Sequence, residues 1–168
     1  MDKTHTFSTV CLALGANLGD RLAALKAARE ALEPFVEILD LSSVYETTPA
    51  YVMDQPLFLN AALLGKTKFD PRGLLYSVKN VELEIGRKPT FRYGPRVIDI
   101  DIIFYGDEVM KTPELTLPHD SIAERSFVLR PLTEIASDWV HPVLGKSARD
   151  LLNALPDKAD PRIIAESF

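Results

Sequence analysis

Arg96-Val97-Ile98-Asp99-Ile100-Asp101-Ile102-Ile103-Phe104-Tyr105 decides the reading of this 168-residue chain. The run is rich in β-branched and aromatic residues, as suits a strand packed on a core. Strand side chains alternate between faces, so Val97, Asp99, Asp101 and Ile103 are expected on one face and Ile98, Ile100, Ile102 and Phe104 on the other. Two carboxylates then stand side by side on an otherwise apolar ribbon. Like charges that close raise each other's pKa unless a cation intervenes. A shared proton, an arginine clamp or a divalent metal resolves the conflict, and hard oxygen ligands of this kind suit Mg²⁺ carrying a substrate phosphate. Asp-x-Asp is also common in solvated turns. Here apolar flanks place it in a strand, and Gly94-Pro95-Arg96 brings a cation to the strand's entry.

Outward from this run the elements alternate. Residues 8–14 read as a buried first strand, and 15–20 as a turn with Asp20 as N-cap. Leu22, Leu25, Ala28 and Leu32 give a helix over 21–32, ended by Pro34. A second strand is expected at 36–45, a proline-containing loop at 46–56, and a third strand at 57–65 that pairs back on the second. Asp70-Pro71 opens a second helix carrying Leu74, Leu75, Val78, Val81, Leu83 and Ile85, which stops at Gly86. A loop over 87–95 leads into the acid-bearing strand. Strand, helix, strand, strand, helix, strand is the split βαβ order of ferredoxin-like folds, with an antiparallel sheet and both helices on one face. Beyond it, 107–168 offers a polar turn, Pro118-His119, an apolar stretch at 127–135 and a short helix near 148–155, which extend or cover the core. The expected class is α+β: a ferredoxin-like α/β sandwich, mainly antiparallel, with helices packed on the sheet's faces.

Bulk properties bound the function. The length suits one domain over 1–168, and the composition is that of a soluble globular protein, 46% hydrophobic and 26% charged. No apolar run approaches the ~20 residues of a membrane span, and the polar stretch 1–9 lacks a signal-peptide core. The lone Cys11 excludes an internal disulfide and reads as a small core residue, so a cytoplasmic location is expected. The net charge of −5 argues against nucleic acid as a partner. Yet Arg87, Lys88, Arg92 and Arg96 cluster within one loop, which suits a small anionic ligand.

Several short motifs surround the acids: Leu14-Gly15-Ala16-Asn17-Leu18-Gly19-Asp20, Tyr45-Glu46-Thr47-Thr48-Pro49, Gln55-Pro56-Leu57-Phe58-Leu59-Asn60, Glu82-Leu83-Glu84-Ile85-Gly86-Arg87, Leu117-Pro118-His119 and Arg125-Ser126-Phe127. In their order and spacing, over about residues 10–135, they resemble the 6-hydroxymethyl-7,8-dihydropterin pyrophosphokinase family of folate synthesis. The resemblance implies a ferredoxin-like core and transfer of the terminal pyrophosphate of ATP to the pterin hydroxymethyl group, with AMP released and two Mg²⁺ ions required. It implies ATP and the pterin as the small-molecule partners, with no membrane, and a monomer is expected.

The resemblance also assigns residues. Asp99 and Asp101 match the metal carboxylates, and Asp99 also matches a substrate contact. Arg87 and Arg96 match arginines used against the ATP phosphates, a task suited to a planar fork that never deprotonates. The other reading of Arg87 is a solvated cation at a helix end. Lys79, Glu82, Arg92, Tyr93, Ile102, Thr116, His119 and Arg125 match nucleotide-side positions. Thr47, Thr48, Phe58, Asn60, Tyr93 and Phe127 match the pterin side, where a flat ring needs aromatic faces and an amide that both donates and accepts. Plain core packing is the other reading of Phe58 and Phe127.

This chain departs from the family pattern in places. Pro89 stands where a second loop arginine is common, so Arg92 is expected to supply that charge. Ala50-Tyr51 follows Pro49 where proline then glycine is usual. Glu114 replaces an arginine of some relatives, and Asp120 a common aromatic. Two other classes fit the acids or the fold: a ferredoxin-like nucleic-acid-binding module and a two-metal nuclease.

Overall fold

Ser8–Ala16 (β1) is the spine of the molecule, and its sequence explains why: seven consecutive residues from Val10 to Ala16 are buried. A strand covered on both faces reads as a continuous apolar run. The computed structural model describes residues 6–156 and 161–168, so residues 1–5 of the polar stretch noted above lie outside it. Asp99–Tyr105 (β5) pairs antiparallel with one edge of β1, and Phe58–Thr67 (β4) with the other. Beyond β4 lie Glu37–Leu41 (β2) and Val44–Thr47 (β3), and Arg162–Ala165 (β8) pairs with β3. The order β5-β1-β4-β3-β8, with β2 also on β4, is the expected antiparallel ferredoxin-like sheet.

Helices cover both faces. Arg21–Leu32 (α1) and Pro71–Ile85 (α2) bury Leu25, Leu32, Leu74 and Val78 against Leu12, Leu14, Ile100 and Ile102. Each is capped as its sequence predicts. Asp20 accepts from the Ala23 amide at 3.1 Å and Asp70 from the Gly73 amide at 2.7 Å, caps worth about 1 kcal/mol each. Gly86 ends α2 at φ 114°, a conformation that L side chains avoid. Ser126–Ala136 (α3) and Ala148–Ala154 (α4) cover the opposite face, packing Leu129, Leu132 and Leu151 on Cys11, Ile103 and Phe104. Met110–Lys111 (β6) and Thr116–Leu117 (β7) form a small separate hairpin.

Four expectations are corrected. Phe104 does not follow Ile100 and Ile102: the β1–β5 register shifts between Cys11 and Leu12, and this bulge turns Phe104 to the α3 face. Val97 precedes the strand and packs on the α1–α2 side. Leu83 is 66% exposed, whereas the adjacent Glu82 is the buried residue of that helical turn. The strand expected at 36–45 is broken at Ser42, a fully buried residue whose hydroxyl accepts from the Ala62 amide at 2.7 Å and donates to the Ser43 carbonyl at 2.7 Å. A serine that satisfies its neighbours' backbone groups replaces the regular ladder there. The terminal strand β8 was not anticipated, because four residues are too few to show a period.

Candidate active site

The acids stand beside two small residues. In register, Gly15 of β1 lies between Asn60 of β4 and Asp99 of β5, and Ala13 is opposite Asp101. A Cβ on Gly15 would meet the Asn60 Oδ1 at 3.1 Å. The missing side chains leave a cleft of about 290 Å³ over this end of the sheet. Both carboxylates line it, as the alternation requires.

β5 is an edge strand, and its outer amide would face solvent without a cover. Glu82 of α2, 2% exposed, provides one: its Oε2 accepts from the Ile100 amide at 2.8 Å. The same carboxylate binds Arg87 and takes the Lys79 Nζ at 3.0 Å. Arg87 in turn donates to Asp99 Oδ1 at 2.8 Å, and Arg96 reaches that oxygen at 3.5 Å. Burial pulls the Arg87 pKa down, but the charges of Asp99 and Glu82 outweigh it and the net shift is upward. This cation belongs to an ion-pair network, so the reading of a solvated helix end is set aside.

Asp101 has no such clamp. Burial, and then the charge of Asp99, push its carboxyl up to about 7, with Lys79 and Arg125 pulling the other way. The acid pair is therefore short of positive charge. Among the described residues, no cluster of three or more His, Cys, Asp or Glu could hold a metal. Two carboxylates with the remaining positions left to water and phosphate oxygens is the donor set that Mg²⁺ accepts, so these residues fit that ion.

His119 and Arg125 close the other side. The His119 amide bonds the Ile103 carbonyl at 3.0 Å, which fixes the residue on the edge of β5. Its Nδ1 accepts from the Ser121 amide at 3.2 Å, so the ring proton sits on Nε2. Burial and the neighbouring Arg125 charge lower its pKa, and the ring is a neutral donor. Arg125, at the start of α3, has a buried Nε without a hydrogen-bond partner in the structure. An orphaned donor inside a cleft suits an anionic ligand.

On the far side of Gly15, Asn60 donates to the Thr47 hydroxyl at 2.6 Å, which fixes the direction of its amide. Phe58 and Phe127 line the same space, together with Thr47, Thr48 and Tyr93. Two loops roof this half. Asn17, 1% exposed, stitches them together: its Oδ1 accepts from the Arg96 amide at 2.7 Å, and its Nδ2 donates to Gln55 Oε1 at 3.0 Å and the Pro56 carbonyl at 3.1 Å. Gln55 also donates to the Tyr93 carbonyl at 2.9 Å.

Most of the expected site residues thus meet in one cleft: Lys79, Arg87, Arg96, Asp99, Asp101, His119 and Arg125 on one side, and Thr47, Thr48, Phe58, Asn60, Tyr93 and Phe127 on the other. Four do not line it. Glu82 lies beneath as the support of Arg87. Ile102 is 3% exposed within the α1–α2 core. Thr116 belongs to the hairpin, paired with Lys111. Arg92 lies over the Tyr93 ring. Glu114 faces Arg72 and Tyr76 on the surface. Asn17, Tyr51 and Gln55 were missed as site residues. Asn17 and Gln55 stand within the motifs that surround the acids and Tyr51 in the proline-containing loop, but nothing local marks what they touch.

Residues 11–137 match the family described as 7,8-dihydro-6-hydroxymethylpterin-pyrophosphokinase. A protein of Aquifex aeolicus named 2-amino-4-hydroxy-6-hydroxymethyldihydropteridine pyrophosphokinase is 44% identical over 143 residues, covering 85% of this chain and 89% of that one. One of the same name from Methylorubrum extorquens is 40% identical, covering 90% and 96%. The mitochondrial folate synthesis bifunctional protein of Pisum sativum is 46% identical, and there the matched region is 30% of a longer chain. Among solved structures, a Plasmodium falciparum HPPK-DHPS aligns with a TM-score of 0.74 over 90% of this chain and 46% of its own, at 18% identity, which speaks to fold alone.

Proposed function

The chain belongs to the 7,8-dihydro-6-hydroxymethylpterin-pyrophosphokinase family, and from that premise we propose how its cleft performs the reaction. The chain is an ATP-dependent pyrophosphokinase of folate synthesis: it transfers pyrophosphate from ATP to 6-hydroxymethyl-7,8-dihydropterin and releases AMP. Nothing in the comparisons favours a nucleic-acid-binding module or a nuclease.

The observation that carries the assignment of residues is that both carboxylates of β5 line one cleft with the rings of Phe58 and Phe127. The triphosphate lies over Asp99 and Asp101, the carboxylates that would hold Mg²⁺. Bound there, the metal would neutralise phosphate charge and ease deprotonation of the attacking hydroxyl. Arg87 and Arg96 leave Asp99 and turn their forks to the phosphate oxygens, where they stabilise the charge that builds on transfer. Lys79 stays on Glu82 at the cleft's edge. Neutral His119 donates from Nε2, and Arg125 satisfies its unpaired Nε on the nucleotide. The pterin lies between Phe58 and Phe127, with its edge on the Asn60 amide. Its hydroxymethyl group then points toward the acids, and holding the two reactants in line supplies much of the rate. The two loops exclude water, which would otherwise take the pyrophosphoryl group.

The 168 residues act as one domain and a monomer in the cytoplasm. No described helix is long and apolar enough to cross a membrane. The deciding experiment mixes the protein with ATP, Mg²⁺ and the pterin and measures AMP. AMP release that needs the pterin and stops with chelator is expected. Release independent of the pterin would overturn the proposed slot.

A further inference from the structure

A row of rings and cations lies across the mouth of the cleft. The Arg92 guanidinium lies 4.8 Å from the Tyr93 ring centroid, and its Nη2 donates to the Tyr93 hydroxyl at 3.0 Å. Tyr93 stacks on Tyr51, with centroids 4.3 Å apart and planes 24° from parallel. The Arg125 guanidinium lies 5.5 Å from the Tyr51 ring and 5.9 Å from that of Phe127. Three separate segments meet in this row: the loop before β5, the loop before β4, and the start of α3. Tyr51 is its middle member.

Core packing does not account for Tyr51, which is 43% exposed. Tyr93, its stacking partner, holds φ at 58°, a left-handed conformation that bulky residues avoid. The neighbouring loop holds it there twice, through the Gln55 bond to its carbonyl and through the ring of Tyr51. On its other side Tyr51 meets the one cleft cation whose buried Nε lacks a partner. A guanidinium against a ring is held by the ring's quadrupole, so fixing the cation also fixes the ring.

We infer that Tyr51 is a positioning residue that couples the two halves of the site. An anion that takes up Arg125 orders Tyr51, and Tyr51 sets the loop of Tyr93 and Arg96 over the second slot. This rests on the function proposed above.

The test is calorimetric titration of 6-hydroxymethyl-7,8-dihydropterin, with Mg²⁺, in the presence and absence of the ATP analogue carrying a methylene between the α- and β-phosphates. Wild type, Tyr51→Ala and Tyr51→Phe are compared, and their Tm values establish that each is folded. Wild type is expected to bind the pterin more tightly with the analogue present. Tyr51→Ala should lose about tenfold of that gain, while its affinity for the analogue alone stays within about twofold. Tyr51→Phe keeps the ring and should restore the gain. In turnover, Tyr51→Ala should raise the pterin KM more than it changes the KM for ATP. A wild type whose pterin affinity ignores the analogue, an undiminished gain in Tyr51→Ala, or a loss as large in Tyr51→Phe each overturns the coupling role. A wild type that binds neither ligand refutes the pyrophosphokinase assignment itself, a separate and recognisable result.

Discussion

The two halves of the cleft are built by different means. The acid half rests on regular structure: β5 carries the carboxylates, α2 supplies Glu82, and Glu82 fixes Arg87 and the Ile100 amide together. The roof of the other half rests on loops joined by side chains, with Asn17 and Gln55 as stitches and Tyr51 against Tyr93. In the first half the backbone and the two carboxylates are set before a ligand arrives, and only the arginine side chains turn. The second is joined by contacts that can part and re-form, which a site needs if it must admit a flat ring and then shut out water. Rigid placement serves the charged reaction centre, where small displacements are costly. Separable contacts serve entry and release.

Substitutions can break this contrast, and the largest effect belongs to the acids. Asp99→Ala and Asp101→Ala should each lower AMP formation by about 10³-fold or more while circular dichroism stays native, since removing charge stabilisation from phosphoryl transfer costs that order. AMP formation unchanged in both would refute the metal role. Glu82→Ala comes next. It strands the Ile100 amide and frees Arg87 and Lys79, so stability should drop by about 3 kcal/mol, or about 6–12 °C in Tm. A drop confined to activity would mean that the acid half is not held by this carboxylate. Asn17→Ala should act on the roof instead. Pterin affinity should fall about tenfold, the scale of losing a hydrogen bond to a buried side chain, while nucleotide affinity stays within about twofold. Equal losses for both ligands would erase the distinction between the halves.

The smallest effect is a pH dependence. Asp101 in the fold keeps its proton up to about pH 7, whereas the unfolded chain releases it near the ordinary aspartate value. The folded state therefore binds more protons between these values, and ligand-free stability falls as pH rises through that window. Above about pH 7 the loss is complete. In thermal melts from pH 4 to 8, the wild-type Tm should fall relative to that of Asp101→Asn, by about 2–4 °C for each kcal/mol lost. Added Mg²⁺ should recover it in wild type only. A difference curve that is flat, or rises with pH, would place Asp101 in a well-compensated site.

Much of the acid half was legible in the sequence because regular structure has a period. Alternation put Asp99 and Asp101 on one face, and cap residues marked both ends of α2. The period also misled. Leu83 counts among the apolar residues of α2 yet faces outward, and the buried member of that turn is Glu82. A carboxylate that is stable only because Arg87, Lys79 and a distant strand amide surround it carries no local signal. Phe104 was placed wrongly for a similar reason, since the bulge beside Cys11 depends on pairing between strands almost a hundred residues apart. The roof was less legible. Asn17, Tyr51 and Gln55 sit in turns, where neither hydropathy nor spacing reveals which distant loop they touch.

One consequence of Glu82 reaches beyond chemistry. An edge strand of isoleucine and phenylalanine is the kind of border along which sheets recruit further chains and grow into fibrils. Here that border is sealed at Ile100 by the same group that aims an arginine at its target. Cover for the strand's border and aim for the arginine thus reside in one carboxylate, so a change there disturbs both at once.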